Sequence, residues 1–166
     1  MENDFFHNAR RILVISDTHG NTRLLDKALC DQACARHVFF LGDNVRDIEK
    51  AAEFHTDRIY HIVRGNCDFD TLYPPRDIAN VYDKTILFAH GHTLNVKYGL
   101  DAAVADGKNA GADIVLYGHT HIAYTSYTDG MYIINPGSAG RSRSGADSYA
   151  VIDITDKGIM PVIIKF

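Results

Sequence analysis

Apolar positions in this chain gather in short unbroken runs rather than alternating with polar ones. Ile12–Ile15, Val38–Leu41, Ile59–Val63, Ile86–Ala89 and Ile114–Tyr117 are rich in β-branched and aromatic residues. Runs of this kind predict central strands buried on both faces. Helical patterning fills the gaps. Thr22–Ala35 places Leu25, Ala28, Leu29 and Ala33 on one side, behind Asn21 or Thr22 as N-cap. Weaker helical patterns cover Ile48–Phe54 and Tyr98–Asn109, the second ending near Gly111. From Ala123 onward the pattern changes. Ala123–Thr128, Met131–Asn135, Tyr149–Ile154 and Ile159–Lys165 read as strands, joined by an Asp129-Gly130 hairpin turn and an Asp156-Lys157-Gly158 turn. The expectation is an α/β part followed by antiparallel β. No repeat or dividing linker interrupts it, so residues 1–166 are expected to form one domain, with 1–10 as an N-terminal extension.

Composition narrows the function without naming it. At 166 residues the chain can bury a core without disulfides. Its 46% hydrophobic and 23% charged content is that of an ordinary globular protein. A net charge of −4 gives no reason to expect an anionic-membrane or general nucleic-acid binder. No basic stripe with interleaved aromatics supports a nuclease either. Cys30, Cys34 and Cys67 are too few, and odd in number, for a disulfide framework. Cys30 and Cys34, four apart on a predicted helix, read as buried small hydrophobes. The segment Met1–Phe6 carries acid and amide where a signal peptide needs positive charge, and no later run approaches the ~18 apolar residues of a membrane span. The expected location is the cytoplasm.

One imbalance points to chemistry: 18 Asp stand against 3 Glu, with 9 His. The runs end in Ser16-Asp17-Thr18-His19-Gly20-Asn21, Gly42-Asp43-Asn44, Arg64-Gly65-Asn66-Cys67-Asp68, His90-Gly91-His92 and Gly118-His119-Thr120-His121. All follow the carboxyl end of a predicted strand, where ligand sites gather in open α/β sheets. In a shuffled chain of this composition Asp-x-His occurs about once, but Gly-His-x-His only about 0.04 times, and His-Gly-His is similarly rare. The ordered set is therefore specific although its parts are weak. Imidazole and carboxylate donors without thiolate clusters suit borderline divalent ions. There are more donors than one tetrahedral ion needs, and enough for two ions sharing a bridging carboxylate.

The order Asp-x-His, Gly-Asp, Gly-Asn-x-Asp, His, Gly-His-x-His resembles the calcineurin-like metallophosphoesterase superfamily, and the short chain resembles its small bacterial and archaeal phosphodiesterase branch. The likeness runs from Arg11 to the Asn135-Pro136-Gly137-Ser138 string. It implies a four-layer α-β-β-α sandwich of two mixed β-sheets flanked by helices. It also implies two divalent ions, with Mn favoured and Fe, Zn, Ni or Co as alternatives. By motif, Asp17, His19 and His121 would hold one ion, Asn66, His90 and His119 the other, and Asp43 would bridge them. An ion-bridging hydroxide would attack the phosphorus of a small phosphate ester. Many relatives carry histidine where Cys67 stands, as proton donor to the leaving oxygen. A thiol is a poorer donor near neutrality, so a preference for aryl phosphodiesters is expected.

Blander readings accompany these. Each ligand alone could be a turn-capping residue, since Asp caps turns routinely. His92 reads equally as a group beside the metals or as a turn histidine, and Cys67 as packing. Asp68 is expected to orient its neighbours or close its turn. Arg141 and Arg143 read as a solvated loop before a phosphate or partner contact. Tyr124, Tyr127, Tyr132 and Tyr149 are either core or an exposed edge for a homodimer. The rival functions are a phosphomonoesterase and a non-catalytic interaction scaffold on the same fold, like a eukaryotic retromer subunit whose relatives have lost metal ligands. All seven ligand positions here hold competent residues, which favours the enzyme.

Overall fold

The computed structural model describes residues 10–166. The proposed N-terminal extension lies outside these, apart from Arg10, the first residue of β1. The elements run β1 (Arg10–Ile15), α1 (Thr22–Asp31), β2 (His37–Phe40), α2 (Val45–Ala52), β3 (Ile59–Ile62), β4 (Arg76–Val81) and β5 (Lys84–Ala89). They continue with a short 3-10 turn (His92–Leu94), α3 (Asp101–Ala110), β6 (Ile114–Tyr117), β7 (Tyr124–Thr128), β8 (Met131–Asn135), β9 (Ser148–Thr155) and β10 (Gly158–Lys165).

Ten strands form two mixed five-stranded sheets, ordered β10-β9-β1-β2-β3 and β4-β5-β6-β8-β7. Three buried clusters show the layering. Ile12 and Val14 of β1 and Phe39 of β2 meet Ile86, Phe88 and Leu116 of the other sheet. On the reverse face Leu13, Ile15 and Val38 pack on Leu25, Leu29 and Ile48 of α1 and α2. Behind the second sheet Leu87, Val115 and Ile133 pack on Ala103 of α3. The layers are therefore α-β-β-α. Alternate residues of β1 serve opposite layers, which is why its run is continuously apolar.

The late strands do not stay together. β9 adds antiparallel to β1 and β10 antiparallel to β9, whereas β8 pairs parallel with β6 and antiparallel with β7. Asp129 and Gly130 turn this hairpin with positive φ, as their sequence predicted.

Several expectations need correction. β3 is an edge strand with partly exposed residues, not a central one, because no strand among the described residues pairs beyond it. β4 was not expected. Arg76 and Asn80 put polar side chains on one face of it and Asp77 on the other, and its turn uses Tyr82 and Asp83 at φ 53° and 62° without glycine. α1 stops at Asp31, which puts Ala33 and Cys34 outside the helix, and both are exposed. Cys30 is exposed too, because the buried face of α1 is Leu25, Ala28 and Leu29. α2 begins at Val45 rather than Ile48, and α3 at Asp101 rather than Tyr98.

Candidate metal centre

The five turns that carry the candidate ligands converge on the seam between the sheets. Asp17 and His19 follow β1, Asp43 follows β2 and Asn66 follows β3, all in one sheet. His90 follows β5, while His119 and His121 follow β6 in the other. Their donor atoms form two groups, Asp17 with His19, Asp43 and His121, and Asp43 with His90 and His119. Asp43 belongs to both. Asn66 Oδ1 joins the second group, 3.2 Å from His90 Nε2.

Backbone conformation does much of the aiming. Asp17, His19, Asp43, His119 and His121 all adopt left-handed φ, between 47° and 68°. Asp and His tolerate this region better than most residues, and such clusters mark functional sites. Glycines clear the space around the carboxylates. A Cβ on Gly65 would overlap Asp43 Oδ1 and come within 2.6 Å of the Asp43 nitrogen. A Cβ on Gly118 would overlap Ser16 Oγ and lie 2.8 Å from Asp17 Oδ2.

Neighbouring groups then fix each donor. His90 Nδ1 donates to the Leu41 carbonyl at 2.7 Å, and His121 Nδ1 to the Arg141 carbonyl at 2.8 Å. A carbonyl only accepts, so in the neutral rings both Nε2 atoms turn a bare lone pair inward. His121 Nε2 lies 3.2 Å from His19 Nε2 and 3.1 Å from Asp17 Oδ1. His90 Nε2 lies 3.1 Å from His119 Nδ1 and 3.5 Å from Asp43 Oδ1. Asp17 accepts from Ser16 Oγ (2.5 Å) and from the His119 N–H (3.1 Å), both through Oδ2. Its Oδ1 is buried without a hydrogen-bond partner among the described residues. A buried carboxylate oxygen left over among lone pairs fits a cation.

The titration behaviour agrees. Burial pushes the Asp17 carboxyl up, but His121, His90 and the Ser16 hydroxyl outweigh it and hold it below the usual range. Burial lowers His19, and lowers His119 to about 4, keeping both rings neutral and able to ligate near neutral pH. His121 is raised, first by Asp17, so that spot attracts positive charge. Cys67 lies beside the group, exposed, with its N–H donating to Asp43 Oδ1 at 2.9 Å. Burial and then Asp43 push its thiol up to about 11.

Other residues find definite places. Asp68 accepts the backbone N–H groups of Asp43, Asn44, Val45 and Gly65, and so ties the Asp43 turn to the Asn66 turn. The His92 ring stands 5.3 Å from that of His90, with its Nδ1 buried and unpartnered among the described residues. Arg141 and Arg143 are exposed, yet their backbone holds His121: its Nδ1 meets the Arg141 carbonyl, and its own carbonyl accepts the Arg143 N–H at 3.0 Å. Sequence reasoning missed Asp47, buried in α2, which accepts from Thr18 Oγ1 at 2.7 Å and from the Gly20 N–H at 3.0 Å. It also missed Ser138, which donates to the Asp17 carbonyl at 2.8 Å. No short motif marks Asp47, and the Asn135-Pro136-Gly137-Ser138 string gave Ser138 no role. Asp26, Cys30 and His55 form a separate surface group, in which His55 Nε2 and Asp26 Oδ1 are 2.9 Å apart.

A family model described as the calcineurin-like phosphoesterase superfamily domain matches residues 11–157. The chain belongs to that superfamily. A probable metallophosphoesterase of Bacillus subtilis, YsnB, is 30% identical over 145 residues, covering 86% of this chain and 83% of its own. Among solved structures, an uncharacterised Streptococcus pneumoniae protein described as a predicted phosphoesterase superposes with a TM-score of 0.83 at 25% identity, covering 95% of this chain and 90% of that one. A mutant of Vps29 from Entamoeba histolytica superposes at 0.73 with 20% identity, over 94% and 99%. The chain is thus a metallophosphoesterase-type hydrolase domain with Asp and His groups able to hold metal. No described helix is long and apolar enough to cross a membrane.

Proposed function

We propose that this metallophosphoesterase is a phosphodiesterase working through a binuclear metal centre. The observation that carries the reading is Asp43, whose carboxylate belongs to both donor groups. One ion would be held by Asp17, His19, Asp43 and His121, the other by Asp43, Asn66, His90 and His119. Imidazole and carboxylate donors suit borderline divalent ions, among which the family resemblance favours manganese, with Fe, Zn, Ni or Co as alternatives. A bound pair supplies a hydroxide nucleophile at neutral pH and neutralises phosphoryl charge. The chain's own part is positioning. Leu41 and Arg141 carbonyls orient His90 and His121, and the Cys67 N–H orients the bridging carboxylate.

Two features favour diesters with good leaving groups. Two cavities are lined by chain neighbours of the candidate ligands, one by Asn44 and Cys67 and the other by Thr120. Two organic arms on one phosphorus would use both. A thiol at Cys67 is a poorer proton donor near neutrality than an imidazole, which favours aryl over alkyl esters. Free cysteines suit a cytoplasmic site of action on a small phosphate ester. The edge strand β7, with Tyr124 and Tyr127 exposed, is where a homodimer would form.

The test is hydrolysis of bis(p-nitrophenyl) phosphate by metal-stripped protein with Mn, Zn or Mg restored, beside the matching monoester. Metal-restored cleavage of the diester above the monoester is expected. Faster monoester cleavage would make it a phosphomonoesterase, and no turnover with ions bound would favour an interaction scaffold.

A further inference from the structure

The two cavities differ in charge and in chemistry. The first, of about 290 Å³, is lined by Phe69 and by Glu49, Asp68 and Asp70 against a single cation, Arg46. The second, of about 430 Å³, is lined by Lys97 and Arg143 with Tyr117, Ile122 and Tyr124, and by no carboxylate. Each is lined by chain neighbours of the candidate ligands. Asn44 follows Asp43, and Cys67 donates to it, on the first side. On the second, Thr120 stands between His119 and His121, and the Arg143 N–H bonds the His121 carbonyl. Neither the Lys97 nor the Arg143 side chain has an ion-pair partner among the described residues.

We propose that the substrate is an asymmetric phosphodiester, with an uncharged aromatic arm over Phe69 in the first cavity and an arm bearing a phosphate or carboxylate against Lys97 and Arg143 in the second. This rests on the phosphodiesterase reading and adds to it the class of substrate. A second anion in the first cavity would face Glu49 and Asp70 at close quarters, and like charges brought together there oppose binding. The Phe69 ring is 87% exposed, so its face is free for an aryl group or nucleobase to stack. In the second cavity two cations without acidic partners, next to tyrosines, suit an anionic group on a hydrophobic stem. Cleavage on the Cys67 side adds water across one P–O bond. The water oxygen ends on phosphorus, a proton ends on the released alcohol, and the anionic arm leaves as a phosphomonoester.

The test compares phenyl p-nitrophenyl phosphate with para-carboxyphenyl p-nitrophenyl phosphate, using the full chain loaded with Mn. Both release the same p-nitrophenol, so only the retained arm differs. The carboxylated ester is expected to have a kcat/KM about tenfold higher, carried by KM. In the double variant Lys97→Ala/Arg143→Ala that ratio falls to parity. A Lys108→Ala control, at an ion pair with Asp129 elsewhere, keeps it. An ester carrying its carboxylate on the leaving ring is expected to be disfavoured, and Glu49→Gln/Asp70→Asn to lift that penalty. Equal kcat/KM for the first two esters in the unaltered protein, or a ratio that survives the double variant, overturns the proposal while leaving the phosphodiesterase reading intact. Failure to cleave either ester removes both.

Discussion

Replacing Asp68 by asparagine should cost the fold a large part of its stability. Its Oδ1 accepts from the N–H groups of Asn44 (2.9 Å) and Val45 (2.8 Å), and its Oδ2 from those of Asp43 (2.9 Å) and Gly65 (2.8 Å). Asn44, the N-cap of α2, makes no side-chain capping bond, so the Asp68 carboxylate caps that helix from a distant turn. In Asp68→Asn one carboxylate oxygen becomes an NH2 group facing two N–H donors. Two charge-assisted bonds become donor–donor contacts and the other two lose their charge. At about 1.5–3 kcal/mol for each bond to a charged group, losing two costs about 3–6 kcal/mol. A domain of this kind has only about 5–15 kcal/mol in total. At about 2–4 °C per kcal/mol the melting temperature should fall by about 6–24 °C. Calorimetry in excess chelator isolates the fold from metal binding, with Asp70→Asn as neighbouring control. A melting temperature within about 2 °C of the unaltered protein would refute the account of Asp68 as the clamp between turns.

Gly65→Ala acts by bulk alone, because Gly65 does not need a left-handed backbone and its new Cβ collides with the Asp43 carboxylate. Displacing that group by about 1 Å should cut kcat about a hundredfold, with metal analysis showing lost ion; near-normal activity would contradict the crowding argument. Asp43→Asn should abolish turnover and lower metal content while circular dichroism stays native; retained turnover would remove the two-metal mechanism. Cys67→His should raise alkyl-diester hydrolysis relative to aryl, and an unchanged proportion would show that the thiol does not limit leaving-group protonation. For pH, burial and then His37 depress His61 to about 4, whereas the unfolded ring protonates near 6.5. The unfolded state therefore takes up the proton first, and stability should decline as pH falls from about 6.5 to about 4 and flatten below. The urea midpoint of His61→Gln should fall less steeply across that window; an equally steep fall would sink the assignment.

The strands that sequence exposed most clearly, β1, β2, β5 and β6, are those whose residues serve two buried layers. β4 escaped notice because an edge strand can be half polar, and because Tyr82 and Asp83 take left-handed turn positions usually filled by glycine or asparagine. β3 has the composition of a central strand yet lies at an edge, since neighbours are a matter of topology rather than composition. At the centre, the candidate ligands were legible because each sits in a glycine-bracketed string at a strand end. Asp47 and Ser138 were not, because their partners Thr18, Gly20 and Asp17 are brought to them only by the fold. The charge contrast between the two cavities was equally hidden, since Lys97 and Arg143 lie far apart in sequence.

The ligand turns come from opposite sheets: Asp17, His19, Asp43 and Asn66 from one, and His90, His119 and His121 from the other. A cation seated among these candidate ligands would be a rivet through two plates that are otherwise joined by apolar packing. Its binding free energy opposes their separation, by about 4 kcal/mol when free metal stands a thousandfold above its dissociation constant. Chelation should therefore do more than silence a catalyst. It should loosen the seam, so that protease resistance tracks metal supply and a starved molecule is cleared sooner than a loaded one.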